Sequence, residues 1–428
     1  MGRTAGRAMR ADGLNVADAL GAVEASGAAR QAGRGRAPAA RVRVLYVTDY
    51  LFAGGIESQL TDLLVRLDQT RIEPHVLCIY GGRPDRLHFA GRLRAAGIPV
   101  TALPLDLTRR DQARAAGQII AHAWRLRPHI IQPEGYHANL LTRLARPCLP
   151  RTRLLGTMRT IATPKQLLYE RLSWWTCAAL VASGQHLRDD LVRRARVPTA
   201  RVRVIANSID VSRFAQPHDA NLRARVAPDA GRLLVSVGRI SKQKRMHLLA
   251  EALGRLRRAG RLPTTAHLLI AGLAQDATEQ ARLAAAIARE GVAPWITQYG
   301  ATQYPEDYYH AADATVLFTT LEGISCAMLE SLAAGRPVII SGEANRAGVI
   351  EDGRTGWVVP TDDIGALAET LAQVFALPDG ELEAMRAACV ARAREYDIAP
   401  LVAAYTDLYA DLCATLAPAK VGGRDAGR

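Results

Sequence analysis

The stretch LFTTLEGISCAMLESLAAGRPVIIS, at Leu317–Ser341, decides the fold most clearly. Short apolar runs open and close it, and the segment between them predicts a helix over Ala327–Ala334. Gly335 and Pro337 end that helix, because glycine accepts the left-handed cap and proline cannot continue a helix. The stretch therefore predicts two parallel strands joined by a crossover helix.

The same alternation continues on both sides of this stretch and predicts an α/β fold with two Rossmann-like, doubly wound parallel-sheet domains. The predicted strands of the first domain are Val42–Val47, His75–Cys78, Ile130–Gln132, Leu154–Thr157, Ala179–Ala182 and Val202–Ile205. Those of the second are Leu233–Val237, His267–Ala271, Ile296–Gln298, Ala314–Phe318 and Val338–Ser341. The predicted helices include Glu57–Leu67, Arg86–Ala96, Ala113–Leu126, Lys165–Trp175, Met246–Leu256 and Asp276–Glu290.

The domain divisions follow from these patterns. Residues 1–40, rich in Ala, Gly and Arg, are predicted to be a disordered leader, and 417–428 a loose tail. The two Rossmann-like domains are predicted over 41–212 and 213–395. A helix over 396–416 is predicted to cross back to the first domain. The carboxyl ends of both sheets then face one central cleft, where α/β proteins bind ligands.

Composition excludes several classes of protein. The six cysteines are scattered singly, without the spacing of a metal knuckle, so no metal site is predicted. No apolar run approaches the ~20 residues of a membrane-spanning helix. The net charge of +14 is spread along the chain and lacks interleaved aromatic residues, so we expect no nucleic-acid partner. An anionic partner fits this charge, either phosphates in the cleft or the headgroups of a membrane.

Two carboxylates border the predicted helix N-terminus in the deciding stretch. Glu322 lies in the loop and Glu330 more than one turn into the helix. Gly323 allows close approach of a ligand to the backbone, and the N–H groups of Ile324 and Ser325 suit an anion. These residues indicate a phosphate-sized pocket. The alternative is that Glu330 is a solvated surface carboxylate and Glu322 a loop charge.

This stretch resembles the E-x7-E signature of the retaining GT-B glycosyltransferases of family 4, also called glycosyl transferases group 1. The resemblance implies that Glu322 contacts the donor sugar and that Glu330 binds the ribose of a nucleotide. The segment VGRISKQKR at Val237–Arg245 resembles the family's diphosphate-binding G-R-x4-K segment, which assigns the diphosphate to Arg239 and Lys244. Arg245 departs from the family, which usually has glycine there.

The resemblance covers about residues 42–415 and extends to the first domain. YVTDYLFAGGIESQL follows the first strand, and its Gly54–Gly55 pair resembles the family's G-G-x-E loop near the donor phosphates or the acceptor. NSIDVSRF, after residue 206, resembles the interdomain element, with serine in place of glycine. By this resemblance the first domain takes the acceptor and the second takes the donor.

The acceptor side matches the family least. Relatives commonly show H-x-H after the third strand, whereas this chain has Gln132 and Glu134 at those positions. Glu134 is one candidate for a catalytic role, as a proton acceptor or a stabiliser of positive charge on the sugar, and His137 is another. A purely structural role is open for both. Arg159 is a candidate for contact with the acceptor or a phosphate.

The resemblance implies a retaining, front-face displacement in which the leaving phosphate helps to deprotonate the acceptor. No metal or other cofactor is expected, and a nucleotide-diphosphate sugar is the co-substrate. The expected acceptor is a glycan or a lipid-linked glycan in polysaccharide or glycoconjugate biosynthesis. The expected location is cytoplasmic, with peripheral membrane contact through a surface that contains Arg92, Arg94, Arg109 and Arg110.

Two alternatives remain open at the level of the sequence. One is a different enzyme on the same fold, such as a sugar-nucleotide epimerase or a glycoside phosphorylase. The other is a catalytically silent subunit that binds a nucleotide sugar, which the loss of the H-x-H histidines makes conceivable.

Overall fold

The structure is a computed structural model, and it describes residues 41–159, 163–274, 277–300, 304–320 and 322–414. The predicted leader and the predicted loose tail lie outside these residues. Within them, no helix is both long and apolar enough to cross a membrane.

The first sheet has seven parallel strands in the order β3-β2-β1-β4-β5-β6-β7. They are β1 (Val42–Thr48), β2 (Ile72–Cys78), β3 (Val100–Ala102), β4 (Ile130–Glu134), β5 (Arg153–Met158), β6 (Ala179–Ala182) and β7 (Val202–Val204). The helices that connect them are α1 (Gly55–Arg66), α2 (Ala90–Ala95), α3 (Arg109–Leu126), α4 (Tyr136–Ala145), α5 (Pro164–Ser173) and α6 (Gln185–Asp189).

The second sheet has six parallel strands in the order β10-β9-β8-β11-β12-β13. They are β8 (Arg232–Val237), β9 (Ala266–Ala271), β10 (Ile296–Tyr299), β11 (Ala314–Leu317), β12 (Val338–Ser341) and β13 (Gly356–Val359). The helices are α7 (Leu222–Val226), α8 (His247–Arg258), α9 (Ala277–Glu290), α10 (Glu306–Ala311), α11 (Cys326–Ala333), α12 (Ile364–Ala376), α13 (Asp379–Arg394) and α14 (Ile398–Ala414). The predicted class, two doubly wound parallel sheets, is confirmed.

Each sheet packs helices on both of its faces. In the first, α3 to α6 cover one face with residues such as Ile119, Leu141 and Leu187. The other face is covered by α1 and α2 and also by α14, the last helix described, through Leu401 and Tyr405. The C-terminal segment therefore returns to the first sheet, although α13 immediately before it packs on α11 beside the second sheet.

The predicted Arg86–Ala96 helix is the largest local difference. The structure has a 3₁₀ turn at Pro84–Leu87, and α2 begins only at Ala90. His88 and Phe89 lie between them. The backbone N–H of Phe89 donates to the carbonyl of Leu51, and the N–H of Leu51 donates to the carbonyl of Arg86. These bonds tie the segment to the loop after β1, and a continuous helix does not form.

Both sheets change winding direction beside their first strand. In the first sheet β1 lies between β2 and β4, and in the second β8 lies between β9 and β11. Ligands of doubly wound proteins bind outside the carboxyl ends of the strands at such points. The loops that follow β1, β4, β8 and β11 are therefore the places where a site is expected. They carry the Gly54–Gly55 pair, His137, Arg239, Lys244 and Glu322, whereas Arg159 follows β5 and the NSIDVSRF element follows β7.

Candidate active site

The loop after β8 brings the predicted diphosphate residues to the cleft. Gly238 and Gly272, which follow neighbouring strands, both have φ of +144°. A side chain at Gly272 would overlap the carbonyl of Gly238, so these two backbones meet closely. Arg239 comes next and is exposed, and the side chain of Lys244 folds back over Gly238.

The structure explains how Arg245 is accommodated where the family usually has glycine. Its backbone is left-handed, with φ of 47°, a conformation that glycine adopts at no steric cost. The arginine is held there by an ion pair with Asp362, and its guanidinium lies 4.8 Å from the centre of the Phe318 ring. The loop thus keeps the turn for which the family uses glycine.

Lys244 and Glu322 form an ion pair that joins the two second-domain motifs. They are far apart in sequence, yet the ammonium of Lys244 donates to Oε1 of Glu322. Their side chains are 19% and 14% exposed, so the pair is partly screened from water but reachable from the cleft. The geometry places a cation and a carboxylate side by side, next to the exposed Arg239.

Glu330 is buried at 8% exposure on α11, which excludes the alternative that it is a solvated surface carboxylate. The hydroxyl of Tyr309 donates to its Oε2 at 2.7 Å. Burial raises the pKa of Glu330, and the Tyr309 hydrogen bond opposes that rise. The hydrogen bond from the Tyr309 hydroxyl holds this carboxylate in place, and the charge of Arg213 also opposes the rise in its pKa.

The N-terminus of α11 faces the first domain. Gly323, Ile324 and Ser325 are all buried. The side-chain amide of Asn207 donates to the carbonyl of Ile324 at 2.8 Å, and a side chain at Gly323 would lie 3.4 Å from the carbonyl of Arg159. The three residues therefore form part of the contact between the domains as well as the edge of the site.

The Gly54–Gly55 loop lies directly opposite α11. The thiol of Cys326 donates to the carbonyl of Gly55 at 3.2 Å, and a side chain at Gly55 would lie 2.8 Å from the Cβ of Cys326. Glycine is required here because the two domains touch. Two residues on, burial raises the pKa of Glu57 to about 7, and the charge of Arg239 opposes that rise. Glu57 was not among the predicted site residues, although it is the glutamate of the G-G-x-E pattern.

A buried set of five polar residues, here called the Arg159 cluster, lies behind this loop: Arg159, Glu134, Gln59, Asn207 and Tyr405. Nε and Nη2 of Arg159 each donate to one carboxylate oxygen of Glu134 at 3.0 Å. Nη1 donates to Gln59 at 2.9 Å and to Asn207 at 3.4 Å, and Nη2 also donates to the Tyr405 hydroxyl at 3.0 Å. Burial lowers the pKa of Arg159, but the Glu134 carboxylate, Tyr405 and Cys326 together outweigh this effect, and the net shift is upward.

Contacts with the Arg159 cluster and with α14 fix the side chains of Gln132 and Glu134, the two residues at the H-x-H positions. The amide of Gln132 donates to Oε1 of Glu134 at 2.7 Å, and its carbonyl oxygen accepts from the Tyr409 hydroxyl, also at 2.7 Å. Both side chains are fully buried or nearly so. Glu134 is therefore held by hydrogen bonds on both oxygens, from Gln132 on β4, from Thr157 on β5 and from Arg159 directly after β5.

His137 stands apart from this cluster. It lies at the start of α4, where Asp49 accepts the backbone N–H groups of His137 at 3.1 Å and Ala138 at 2.6 Å. Nδ1 of His137 is 3.6 Å from Oδ2 of Asp49, and its side chain is 27% exposed. Of the two candidates for catalysis in the first domain, His137 is the one that remains accessible to solvent.

Solved structures with known chemistry share this architecture. The structure of HepE from Anabaena, in complex with UDP and glucose, superposes with a TM-score of 0.74 at 17% identity, over 87% of this chain and 100% of that chain. Sucrose-phosphate synthase from Thermosynechococcus elongatus superposes with a TM-score of 0.71 at 16% identity, over 88% and 100%. The fold is that of the GT-B glycosyltransferases.

Family models narrow the class. The model described as Glycosyltransferase Family 4 matches residues 53–213, and the model described as Glycosyl transferases group 1 matches residues 231–376. The two matches cover both sides of the cleft. The chain belongs to the family 4 glycosyltransferases and is an enzyme of that type.

Several curated proteins are similar to this chain in sequence. Alpha-maltose-1-phosphate synthase of Mycolicibacterium smegmatis is 28% identical over 370 residues, which are 81% of this chain and 89% of that protein. A putative colanic acid biosynthesis glycosyltransferase, WcaL of Salmonella typhimurium, is 27% identical over 46% of this chain and 47% of its own length. D-inositol 3-phosphate glycosyltransferase of Xylanimonas cellulosilytica is 27% identical over 54% and 56%.

The Arg159 cluster predicts a large loss of stability in Arg159→Ala. That change leaves the Glu134 carboxylate buried without its cation, which costs about 3–5 kcal/mol of the free energy of unfolding. The measurement is denaturant unfolding followed by circular dichroism. Arg114→Ala is the matched control, since its pair with Asp111 at 3.3 Å is exposed and such pairs contribute under ~1 kcal/mol. Equal losses in the two variants contradict the prediction.

Proposed function

We propose that the chain is a retaining, metal-independent glycosyltransferase that moves a sugar from a nucleotide-diphosphate sugar to a glycan or lipid-linked glycan. The observation that carries the proposal is the Lys244–Glu322 ion pair in the cleft beside the exposed Arg239. The two cations, Arg239 and Lys244, suit the diphosphate of the donor. The Glu322 carboxylate next to Lys244 suits the hydroxyls of the transferred sugar. The complexes of HepE with UDP and glucose support a donor of this class.

The donor-binding residues are proposed to act as charges that are already in position before the sugar nucleotide binds. Arg239 and Lys244 bind the diphosphate and stabilise the negative charge that grows on it as the glycosidic bond breaks. Glu322, already held by Lys244, accepts hydrogen bonds from the sugar. Glu330, fixed by the neutral Tyr309 hydroxyl, accepts from the ribose. The phosphates then enter a site with two cations on one loop.

Glu134 is proposed to act as a positioning residue and not as the base. Removing a proton from the acceptor would require Glu134 to leave a bidentate contact with Arg159 in a buried environment. The leaving phosphate is the better proton acceptor in a front-face displacement, because it gains negative charge as the bond breaks. His137, with Asp49 beside it, is proposed to face the acceptor.

The acceptor is proposed to rest on aromatic rings at the edge of the first sheet. Tyr50 and Phe52 stack at 4.6 Å, Tyr80 lies 5.5 Å from Tyr50, and His137 lies 5.7 Å from Tyr80. Tyr136 is 5.3 Å from His137 on the other side. The hydroxyl of Tyr80 is buried without a hydrogen-bond partner among the described residues. Rings with a polar group between them suit a sugar, which has apolar faces and hydroxyl edges.

A role in polysaccharide or glycoconjugate biosynthesis is proposed from the relatives, one of which is a putative enzyme of colanic acid biosynthesis. The proposed location is the cytoplasm, at the inner face of a membrane when the acceptor is lipid-linked. On the membrane-contact surface expected from the sequence, Arg92 forms an ion pair with Asp62 at 2.6 Å, so its charge is less available to a phosphate. Arg94, Arg109 and Arg110 are exposed.

The first prediction from this proposal concerns the two donor cations. Arg239→Ala and Lys244→Ala are each expected to lower turnover by ~10²–10³-fold, the effect of losing one preorganised charge stabiliser. The donor is chosen by a thermal-shift screen of nucleotide-diphosphate sugars, and transfer is followed by NMR, which also reports whether the anomeric configuration is retained. Lys242→Ala is the matched control, an exposed lysine of the same loop.

Other outcomes of the same assay separate the alternatives. Donor consumption without a transfer product indicates an epimerase, and a requirement for free phosphate indicates a phosphorylase. Donor binding without turnover indicates a silent subunit. Inversion of the anomeric centre or loss of activity with EDTA contradicts the proposed mechanism, as does a loss below about threefold in both cation variants.

The second prediction concerns the pH dependence of donor binding. The pKa of Glu57 is about 7, so its carboxylate forms as the pH rises through that value and repels the diphosphate on Arg239. We expect donor affinity to fall between about pH 6 and about pH 8 and to change less in Glu57→Gln. Calorimetry at several pH values measures this. The same pH dependence in both proteins excludes Glu57 as its cause.

The third prediction concerns the aromatic rings. Phe52→Leu keeps an apolar side chain but removes one ring of the proposed acceptor site, and the loss of one ring contact with the sugar is expected to cost about 0.5–1.5 kcal/mol of binding free energy. The KM for the acceptor is therefore expected to rise ~3–10-fold while the KM for the donor stays constant. Steady-state kinetics with each substrate varied in turn provide the test. A change confined to the donor KM contradicts the proposed acceptor site.

A further inference from the structure

One face of the first domain exposes an unusual number of large apolar side chains. Among the described residues nine such side chains are exposed, and five of them lie on α3, α4 and the segment from α5 to the turn after it. They are Trp124, Leu144, Leu168, Leu172 and Trp175, each 56% to 70% exposed. Scattered single residues of this kind need no explanation, but a group on adjoining helices indicates a binding surface.

The three helices lie side by side with α4 in the middle. Nε1 of Trp124 on α3 donates to the carbonyl of Cys148, just after α4, at 3.1 Å. Arg143 on α4 donates to Glu170 at 3.0 Å and to Ser173 at 2.7 Å, both on α5. The five apolar side chains thus belong to one continuous surface, called here the α3–α5 face.

The charge on this face has one sign. Glu134 and Glu170 are the only acidic residues between Gln112 and Arg188, and both are buried in ion pairs with arginine. The exposed cations of the same part of the chain include Arg125, Arg127, Arg151, Lys165 and Arg171. Between residues 112 and 188 the α3–α5 face therefore presents apolar and cationic side chains and no exposed carboxylate; the nearest acids along the chain are Asp111, in the first turn of α3, and Asp189, at the end of α6.

We propose that the α3–α5 face docks on an anionic lipid surface. Tryptophan and leucine insert at the boundary between headgroups and acyl chains, and arginine and lysine around them bind the phosphates. A second copy of this chain fits less well, because a symmetric contact through the same face would bring like charges together. Arg109 and Arg110 of the surface expected from the sequence lie in the first turn of α3, whereas Trp124 lies in the last turn of that helix.

The docking surface is independent of the sugar chemistry, so its test does not require an active enzyme. The full-length protein is sedimented with vesicles of phosphatidylglycerol and phosphatidylcholine in equal parts, and with pure phosphatidylcholine vesicles. The double variant Leu172→Glu/Trp175→Glu removes two apolar anchors and adds two negative charges. Both residues are exposed, so the unfolding temperature is expected to stay close to that of the wild type.

The wild type is expected to bind the anionic vesicles, more weakly as salt is added, and to bind pure phosphatidylcholine less well. The double variant is expected to bind at least about tenfold more weakly than the wild type. Leu273→Glu/Tyr299→Glu is the matched control, with an exposed leucine and an exposed aromatic residue of the second domain, and it is expected to lose less affinity than the double variant.

Three results overturn the proposal. The first is a wild type that does not sediment with the anionic vesicles, and the second is a double variant that binds them as well as the wild type. The third is a dimer of the wild type, seen by light scattering, that the double variant dissociates, since a second copy of the chain then covers the face. Loss of sugar transfer with intact vesicle binding affects the proposed function and leaves this inference standing.

Discussion

The bidentate ion pair between Arg159 and Glu134 is the interaction on which the rest of the structure depends. A buried guanidinium must have its donors satisfied, and here Gln59, Asn207 and Tyr405 complete what Glu134 begins. These partners come from four separate parts of the chain: β4, α1, the segment after β7, and α14. Such pairs do not add much net stability, but they penalise every arrangement that leaves a charge unpaired. The pair therefore fixes how the last helix and the interdomain segment sit on the first sheet.

The ion pair between Arg159 and Glu134 also helps to fix the geometry of the active-site cleft. The carbonyl of Arg159 accepts a hydrogen bond from Ser183 at 3.2 Å and faces the backbone at Gly323. Asn207, which accepts from Arg159, donates to the carbonyl of Ile324 at the start of α11. The loop that carries Glu322 is thus connected to the first domain through polar contacts that have little freedom. An enzyme that works by positioned charge needs such rigidity, because a small displacement of the loop moves the carboxylate away from the sugar.

The sequence predicted the fold well where the hydrophobic pattern is strong. Every central strand was predicted, and the two missed strands, Val100–Ala102 and Gly356–Val359, are the outermost of their sheets and are only partly buried. Lys244 and Glu322 were named separately, by resemblance to two family motifs, and their ion pair was not predicted because it depends on β8 and β11 lying side by side. The Arg159 cluster could not be predicted, because Glu134 and Tyr405 are brought together only when α14 returns to the first sheet. Sequence reasoning therefore named Arg159 and Glu134 separately and missed that each satisfies the other.

The uses of arginine in this chain show why net charge alone says little about partners. Arg159 and Arg143 are buried and neutralised by single carboxylates, so they contribute nothing to the field around the protein. Arg239 is exposed in the cleft, where its charge acts on the Glu57 carboxyl. Arg125 and Arg171 lie on a face with no exposed carboxylate between residues 112 and 188. Glu134 and Glu170, the two acids of this part of the chain, are both paired with buried arginines. No carboxylate of the same segment is therefore left to pair with its exposed arginines. The internal ion pairs thus join neighbouring elements of the domain and leave only cations exposed among the charged side chains between residues 112 and 188.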